Sequence, residues 1–265
     1  MALTLATWNI NSVRLRIASV ERLLNEIQPD ILCLQETKTP DEFFPQAAFE
    51  ALGYRHRLVH GMKGYNGVAI LSRIPFTEQL VIDRCGKTDC RHGVARLEGG
   101  IELHNLYVPA GGDIPDPALN DKFAHKLAFL DELTEYFGAA ERRDRSMIVV
   151  GDLNIAPLEH DVWSHKQLLD VVSHTPIEVE RYAKLQATAK FVDAVRRFVP
   201  PEQKLYSWWS YRAKDWESSN RGRRLDHVWV TPDLVPRLAG YEILRSVRGW
   251  EKASDHVPVI VRLGA

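Results

Sequence analysis

The sequence is short of the features that mark several protein classes. Only three cysteines occur among 265 residues, Cys33, Cys85 and Cys90. They form no CxxC pair and leave an odd count, so no disulfide framework is expected. Cys33 lies in an apolar run and reads as a buried strand residue. Cys85, Cys90 and His92 lack the second ligand pair that a zinc site needs and read as loop residues. No apolar run approaches the roughly 18 residues of a membrane span, and residues 1–11 lack a basic start and a small-residue cleavage site. A cytoplasmic location without a membrane partner is therefore expected. An excess of charge of one sign is also missing: 34 Lys and Arg face 35 Asp and Glu, a formal net charge of −1. That excludes a protein that coats nucleic acid through a uniformly basic surface. Any phosphate binding must be local, with Arg221, Arg223 and Arg224, or Arg14 and Arg16, as sources. No repeat, low-complexity tract or Gly/Ser/Pro-rich linker divides the chain.

What is present is an ordinary globular composition, 45% hydrophobic and 26% charged, long enough to bury a substantial core as one domain spanning residues 1–265. Short runs rich in Val, Ile, Leu and aromatics predict strands at 3–8, 31–34, 67–72, 101–108, 146–150, 226–231 and 257–263. Helical spacing links Val13, Ile17, Val20, Leu24 and Ile27, ended by Pro29, and then Leu119, Phe123, Leu127, Leu130 and Phe137. A third helix is expected over about 178–198. Strands joined by short connections early and late, with helical insertions between, fit an α+β sandwich better than a βαβ repeat. The segment PAGGDIPDP at 109–117 follows a strand directly, where functional loops are common.

Nearly every predicted strand carries a polar or acidic residue at one end: Asn9, Glu36, Tyr107, Asp152 with Asn154, Asp226, and Asp255 with His256. Alone, each such residue is ordinarily a turn or cap residue. In a sandwich whose strands run both ways, however, these ends meet along one edge. Such a set suits phosphodiester hydrolysis, whose transition state gathers negative charge on the phosphoryl and leaving oxygens. A hard cation such as Mg²⁺ takes oxygen ligands and needs only one or two carboxylates to hold it against a phosphate. Glu36 is the strongest ligand candidate and Asp255 a second. Asp152 and Asn154, two residues apart, can share one face as base and water-orienting amide. His256 can act on a phosphoryl oxygen if Asp226 holds its imidazole.

The segments WNINSVR, LQETK, GYNGVAILS, LYVP, GDLNIAP, SWWSYR, RGRRLDHVWV and SDHVPV, in this order from Ala6 to about Val261, resemble the exonuclease III family of apurinic/apyrimidinic endonucleases. The resemblance implies the four-layered sandwich of deoxyribonuclease I, two packed mixed β-sheets flanked by helices, with the site at one edge. It implies a Mg²⁺-dependent DNA repair nuclease, with Mn²⁺ able to substitute. Such an enzyme cuts the phosphodiester 5′ to abasic sites in duplex DNA and acts at 3′ ends as exonuclease, phosphodiesterase and phosphatase. It also implies roles: Glu36 as metal ligand with Asn9 beside it, Asp152 and Asn154 at the water and metal, Asp255 near the metal, Tyr107 on the phosphate, and Asp226 paired with His256.

Adjacent Trp208 and Trp209 would ordinarily read as core. In similar proteins this segment, with Leu225, lines an apolar pocket that accepts a base-less sugar. Flipping costs least where no base is stacked or paired. Trp208, Trp209, Leu225 and Arg223 are therefore the expected substrate contacts, Trp208 first among them. The chain departs from the pattern at Ala110, Gly111 and Gly112, where some relatives carry a phosphate-binding amide. It departs again at Arg223, where some carry an apolar pocket residue. Two other readings remain open: a phosphoesterase of the same fold acting on inositol phosphates, sphingomyelin or undamaged DNA, and a catalytically inactive DNA-binding protein. A monomer is expected.

Overall fold

The computed structural model describes residues 2–213 and 215–265. Two six-stranded mixed sheets pack face to face. The first runs, edge to edge, Leu238–Ile243, Val259–Leu263, Leu3–Asn9, Ile31–Gln35, Val68–Ser72 and His56–His60. The second runs Phe76–Val81, His92–Leu97, Glu102–Tyr107, Met147–Asp152, Asp226–Val230 and Val192–Asp193. Trp208–Trp209 pairs separately with Gly222–Arg223.

Period-two alternation assembles the layers. Leu5, Cys33, Ile70, Ala95, Leu103, Ile148, Val150, Val228 and Val261 point between the sheets and form the central core. Their neighbours Ala6, Trp8, Leu32, Leu34 and Ile260 point outward against Val20, Leu23 and Leu24 of the helix Ile17–Ile27. On the opposite outer face, Leu106, Val149 and Trp229 meet Leu130 and Leu133 of the helix Asp121–Gly138 and Tyr182 and Leu185 of the helix Pro176–Thr188. The order is helix, sheet, sheet, helix.

The strands anticipated from apolar runs are present within one or two residues at most ends. Four others, His56–His60, Phe76–Val81, His92–Leu97 and Leu238–Ile243, carry too many polar side chains to show as apolar runs. Three of these lie on sheet edges. The third helix is shorter than expected, because Lys190 takes a left-handed φ of 55° and the chain then extends to pair Val192–Asp193 with Trp229 and Val230. In the second, the Asn120 side chain accepts from Lys122 N at 3.1 Å, so the helix begins after Leu119 and leaves it exposed.

Two glycines set the strand ends that matter. Gly67 has φ 96°, and a Cβ there would lie 2.1 Å from Thr37 Oγ1. Gly151, just before Asp152, has φ 135° and would drive a Cβ to 1.9 Å from Leu106 O. Only glycine fits either place.

Candidate active site

The parallel pairing of Leu3–Asn9 with Ile31–Gln35 brings two strand ends to one edge, so Asn9 and Glu36 become neighbours. In the second sheet Tyr107 and Asp226 both stand in register with Asp152, from its two sides. The turn before the last strand is tied to the first: Ser254 Oγ donates to Asn9 O at 2.7 Å and Trp8 Nε1 donates to His256 O at 3.0 Å. Residues from position 9 to position 256 therefore converge on one place.

Hydrogen bonds connect them. Asn9 Nδ2 donates to Glu36 Oε1 at 2.8 Å and to Asp152 Oδ2 at 2.9 Å. Tyr107 OH donates to Glu36 Oε1 at 2.9 Å. Asp152 Oδ1 accepts from Asn154 N at 2.9 Å, and Oδ2 from Asn154 Nδ2 at 3.1 Å. His256 places Nδ1 2.8 Å from Asp226 Oδ2 and Nε2 3.6 Å from Asp152 Oδ2. Glu36 and Asn154 both sit at positive φ, 51° and 54°, a strained state that is concentrated at functional sites.

Counting donors fixes what each amide offers. Asn154 spends both amide hydrogens, on Asp152 and on Val108 O, so its free atom is Oδ1, an acceptor for water or a cation. Asn9 spends both hydrogens on the two carboxylates, while its Oδ1 accepts from Asn11 N at 3.1 Å. It presents donors to the acids and so bridges Glu36 and Asp152. Asp255 lines the same cleft, its oxygens accepting from Asn11 Nδ2 at 3.2 Å and Trp208 Nε1 at 2.9 Å.

Electrostatics follow from this crowding. Burial raises the Asp152 carboxyl above the usual range, and Asp226 and Glu36 add to the rise against the pull of His256. Burial works against a charged His256, but Asp226 and Asp152 outweigh it and hold the imidazole well above its ordinary value. Burial would also raise Glu36; Lys38, whose Nζ lies 2.7 Å from Oε2, and Asn9 reverse this and leave it low. Tyr107 is pushed well up by burial and by the adjacent Glu36 and Asp152, so its hydroxyl is a donor. For a hard cation the donor set fits. One donor atom each of Asp152, Asp226 and His256 lies within 4.8 Å of the others, but the imidazole is committed to Asp226. The all-oxygen side, Glu36 with Asp152 and Asn154 Oδ1, suits Mg²⁺ better.

A cleft of about 690 Å³ opens from these groups. Trp208, Leu225, Arg223 and Trp163 line it, as do Ala110 and Gly112. Trp209 does not. Alternation along the two-residue strand turns it inward, 2% exposed, against Tyr206 and Trp216, so its expected substrate role is corrected to a core role. Arg224 and Arg16 are likewise structural: Arg224 pairs with Asp161 and Asp193, and Arg16 donates to Asn11 O and Lys252 O.

Three residues escaped the sequence reading. Ser207 Oγ donates to Asp226 Oδ2 at 2.6 Å and fixes the acid that holds His256. Lys38 compensates Glu36. Fully buried Lys126 pairs with Glu178 and donates to Asn154 O at 2.8 Å. The first two lie inside the SWWSYR and LQETK segments; Lys126 had no local signal.

The family profile described as "Endonuclease/Exonuclease/phosphatase family" matches residues 6–256. This chain belongs to that family. Within the endonuclease/exonuclease/phosphatase family it is 33% identical to the exodeoxyribonuclease III of Haemophilus influenzae, over 96% of this chain and 97% of that one. An AP endonuclease from Archaeoglobus fulgidus superposes with a TM-score of 0.91 at 33% identity, covering 99% of this chain and all of that one. A 3′ phosphatase from Neisseria, bound to a product DNA hairpin, gives 0.90 at 29% identity, covering 99% and 100%. The architecture is thus the deoxyribonuclease I-like sandwich of a phosphodiester hydrolase. The family is one of metal-dependent nucleases. No helix among the described residues is long and apolar enough to cross a membrane.

Proposed function

We propose that this chain is a Mg²⁺-dependent DNA repair nuclease that hydrolyses the phosphodiester 5′ to abasic sites and clears blocked 3′ ends. One observation carries the reading. Asp152 stands between Asn9, Asn154 and the His256–Asp226 couple at the mouth of a cleft walled by Trp208 and Leu225. The exodeoxyribonuclease III, AP endonuclease and 3′ phosphatase relatives support it.

Glu36, Asp152 and Asn154 Oδ1 would hold the cation, which supplies Lewis-acid charge to the phosphoryl oxygens. Asp152 takes the proton of the attacking water, and Asn154 Oδ1 orients that water. Imidazolium His256, kept charged by Asp226, donates to the phosphoryl oxygens as negative charge grows there, and the Tyr107 hydroxyl joins it by turning from Glu36 to the phosphate when the substrate binds. Leu225 and Trp208 accept a sugar without its base. The chain acts as one catalytic domain and as a monomer, since one chain supplies every group named.

The test is incision of a duplex carrying one tetrahydrofuran abasic analogue, beside an intact duplex, with Mg²⁺ and with chelator. Cutting at the analogue only, abolished by chelator, supports the proposal. Equal cutting of both duplexes would favour a general phosphodiesterase.

A further inference from the structure

Lys126 and Glu178 form an ion pair in which both side chains are wholly buried. Neither lines the cleft, so neither touches a substrate. They stand on the helices Asp121–Gly138 and Pro176–Thr188, which pack on the outer face of the second sheet. Such a pair is a weak source of stability, because stripping two charges of water offsets their attraction, and an apolar pair of similar volume often serves as well. What it can supply is a fixed arrangement of the groups it bonds.

Those bonds reach three loops. Lys126 Nζ has three hydrogens and three acceptors: Glu178, Asn154 O at 2.8 Å and Ala110 O at 3.3 Å. Glu178 in turn accepts from Ser173 N at 3.0 Å, from Thr175 N at 3.2 Å and from Thr175 Oγ1. Ala110, Asn154 and Ser173 all line the cleft. Each of these loops carries left-handed backbone, with φ 90° at Gly111, 54° at Asn154 and 89° at Ser173, and such backbone persists only where its surroundings hold it. Gly111 rests directly on the lysine stem: a Cβ there would lie 2.9 Å from Lys126 Cδ. The pair therefore braces the cleft from behind.

We propose that Lys126, backed by Glu178, is a positioning residue for hydrolysis: it holds the peptide of Asn154, and through it the Oδ1 that orients the attacking water. The inference rests on the nuclease reading above and extends it to a pair outside the cleft. Asn154 directs Oδ1 by donating both Nδ2 hydrogens, to Asp152 Oδ2 and Val108 O. Lys126 ties the backbone carbonyl of the same residue, so neither end of Asn154 is free to turn.

Lys126→Met alone would leave the Glu178 charge buried and unpaired, which destabilises a fold strongly. The test therefore compares Glu178→Gln with the double variant Lys126→Met, Glu178→Gln. Both lack the ion pair. In the first, Lys126, already pulled below its ordinary pKa by burial, still donates to Asn154 O and Ala110 O as a neutral amine; in the second no donor remains. The rate constant of a single turnover on an abasic duplex in Mg²⁺, at saturating protein, is unaffected by any unfolded fraction. It should stay within a few-fold of the wild type in Glu178→Gln and fall by about 10- to 100-fold in the double variant, the usual cost of removing a partner behind a site residue. The Kd for the duplex in chelator should change by no more than a few-fold. Amide exchange of the protein without metal or DNA, followed by mass spectrometry, should quicken in the double variant over 108–112 and 152–156 only, whereas a merely structural role would quicken it throughout. Equal single-turnover rates in the two variants, faster exchange along the whole chain, or failure of both variants to fold overturns this inference alone. No incision by the wild type overturns the nuclease reading and the kinetic role with it, while the exchange pattern still decides whether the pair holds Asn154.

Discussion

His256 Nδ1 lies 2.8 Å from Asp226 Oδ2. A hydrogen bond on that nitrogen decides which proton the other carries, and Nε2 faces Asp152 at 3.6 Å with a proton to give. Asp226→Asn removes the charge and can present an N–H where an acceptor is needed. Its kcat should fall by about 10² to 10⁴, by analogy with acid–histidine couples elsewhere, with KM within a few-fold. Steady-state kinetics on an abasic duplex check this. A change in KM alone would show that Asp226 serves binding and not the reaction.

Glu36 makes a different prediction. Its two oxygens meet Asn9, Tyr107 and Lys38. Glu36→Gln keeps the shape and loses the charge that recruits a cation. Activity at low Mg²⁺ should drop by at least about tenfold and recover in part as Mg²⁺ is raised. An unshifted Mg²⁺ titration would move the cation elsewhere in the cleft.

Part of the acid sensitivity should come from the buried His227. Its Nδ1 faces Tyr182 OH at 2.9 Å and Arg224 Nη2 at 3.0 Å, both donors, while Nε2 donates to Ile155 O at 2.8 Å. No room is left for a second proton. Burial first, then Arg224, pulls the imidazole down from 6.5 to about 4. Between those values the unfolded chain binds more protons than the folded one. Stability is therefore fully present above pH 6.5 and is lost as pH falls toward 4. The loss from this residue is on the order of 3 kcal/mol. Urea denaturation at pH 7 and pH 4 should show a smaller difference for His227→Gln than for the wild type, whatever the variant's absolute stability. Equal pH dependence in the two would remove His227 as the cause.

What could be read from the sequence depended on how locally each feature is encoded. ILCLQ, VAILS and MIVVGD are buried on both faces, so they appear as unbroken apolar runs. HRLVH, with half-buried polar positions, and FTEQLV, with exposed ones, are edge strands and carry no such signature. The convergence of Glu36, Asp152, Asp226 and His256 depended on several short segments occurring together in a familiar order. The bond between Lys126 and Glu178 joins two helices far apart in sequence, and a lysine on an amphipathic helix ordinarily reads as solvated. Asn9 was identified, but its orientation was not. Which atom of an amide faces an acid depends on Asn11 N, and that is settled only in three dimensions.

The adjacent tryptophans give the sharpest contrast between neighbours in sequence. Trp208 faces the cleft and donates to Asp255. Trp209 fills the core and donates to Asn220 Oδ1 at 3.1 Å. Trp208→Ala should cost little stability but lower kcat/KM on an abasic duplex by roughly tenfold, since a stacking wall of the pocket is lost. Trp209→Ala opens a large cavity and should destabilise the fold by about 3–5 kcal/mol, with any surviving folded protein keeping much of its activity per molecule. Urea denaturation and kinetics on both variants separate the two roles. If the effects were reversed, the alternation along this short strand would have to be read the other way, and the pocket would lose the wall on which the sugar-binding argument depends.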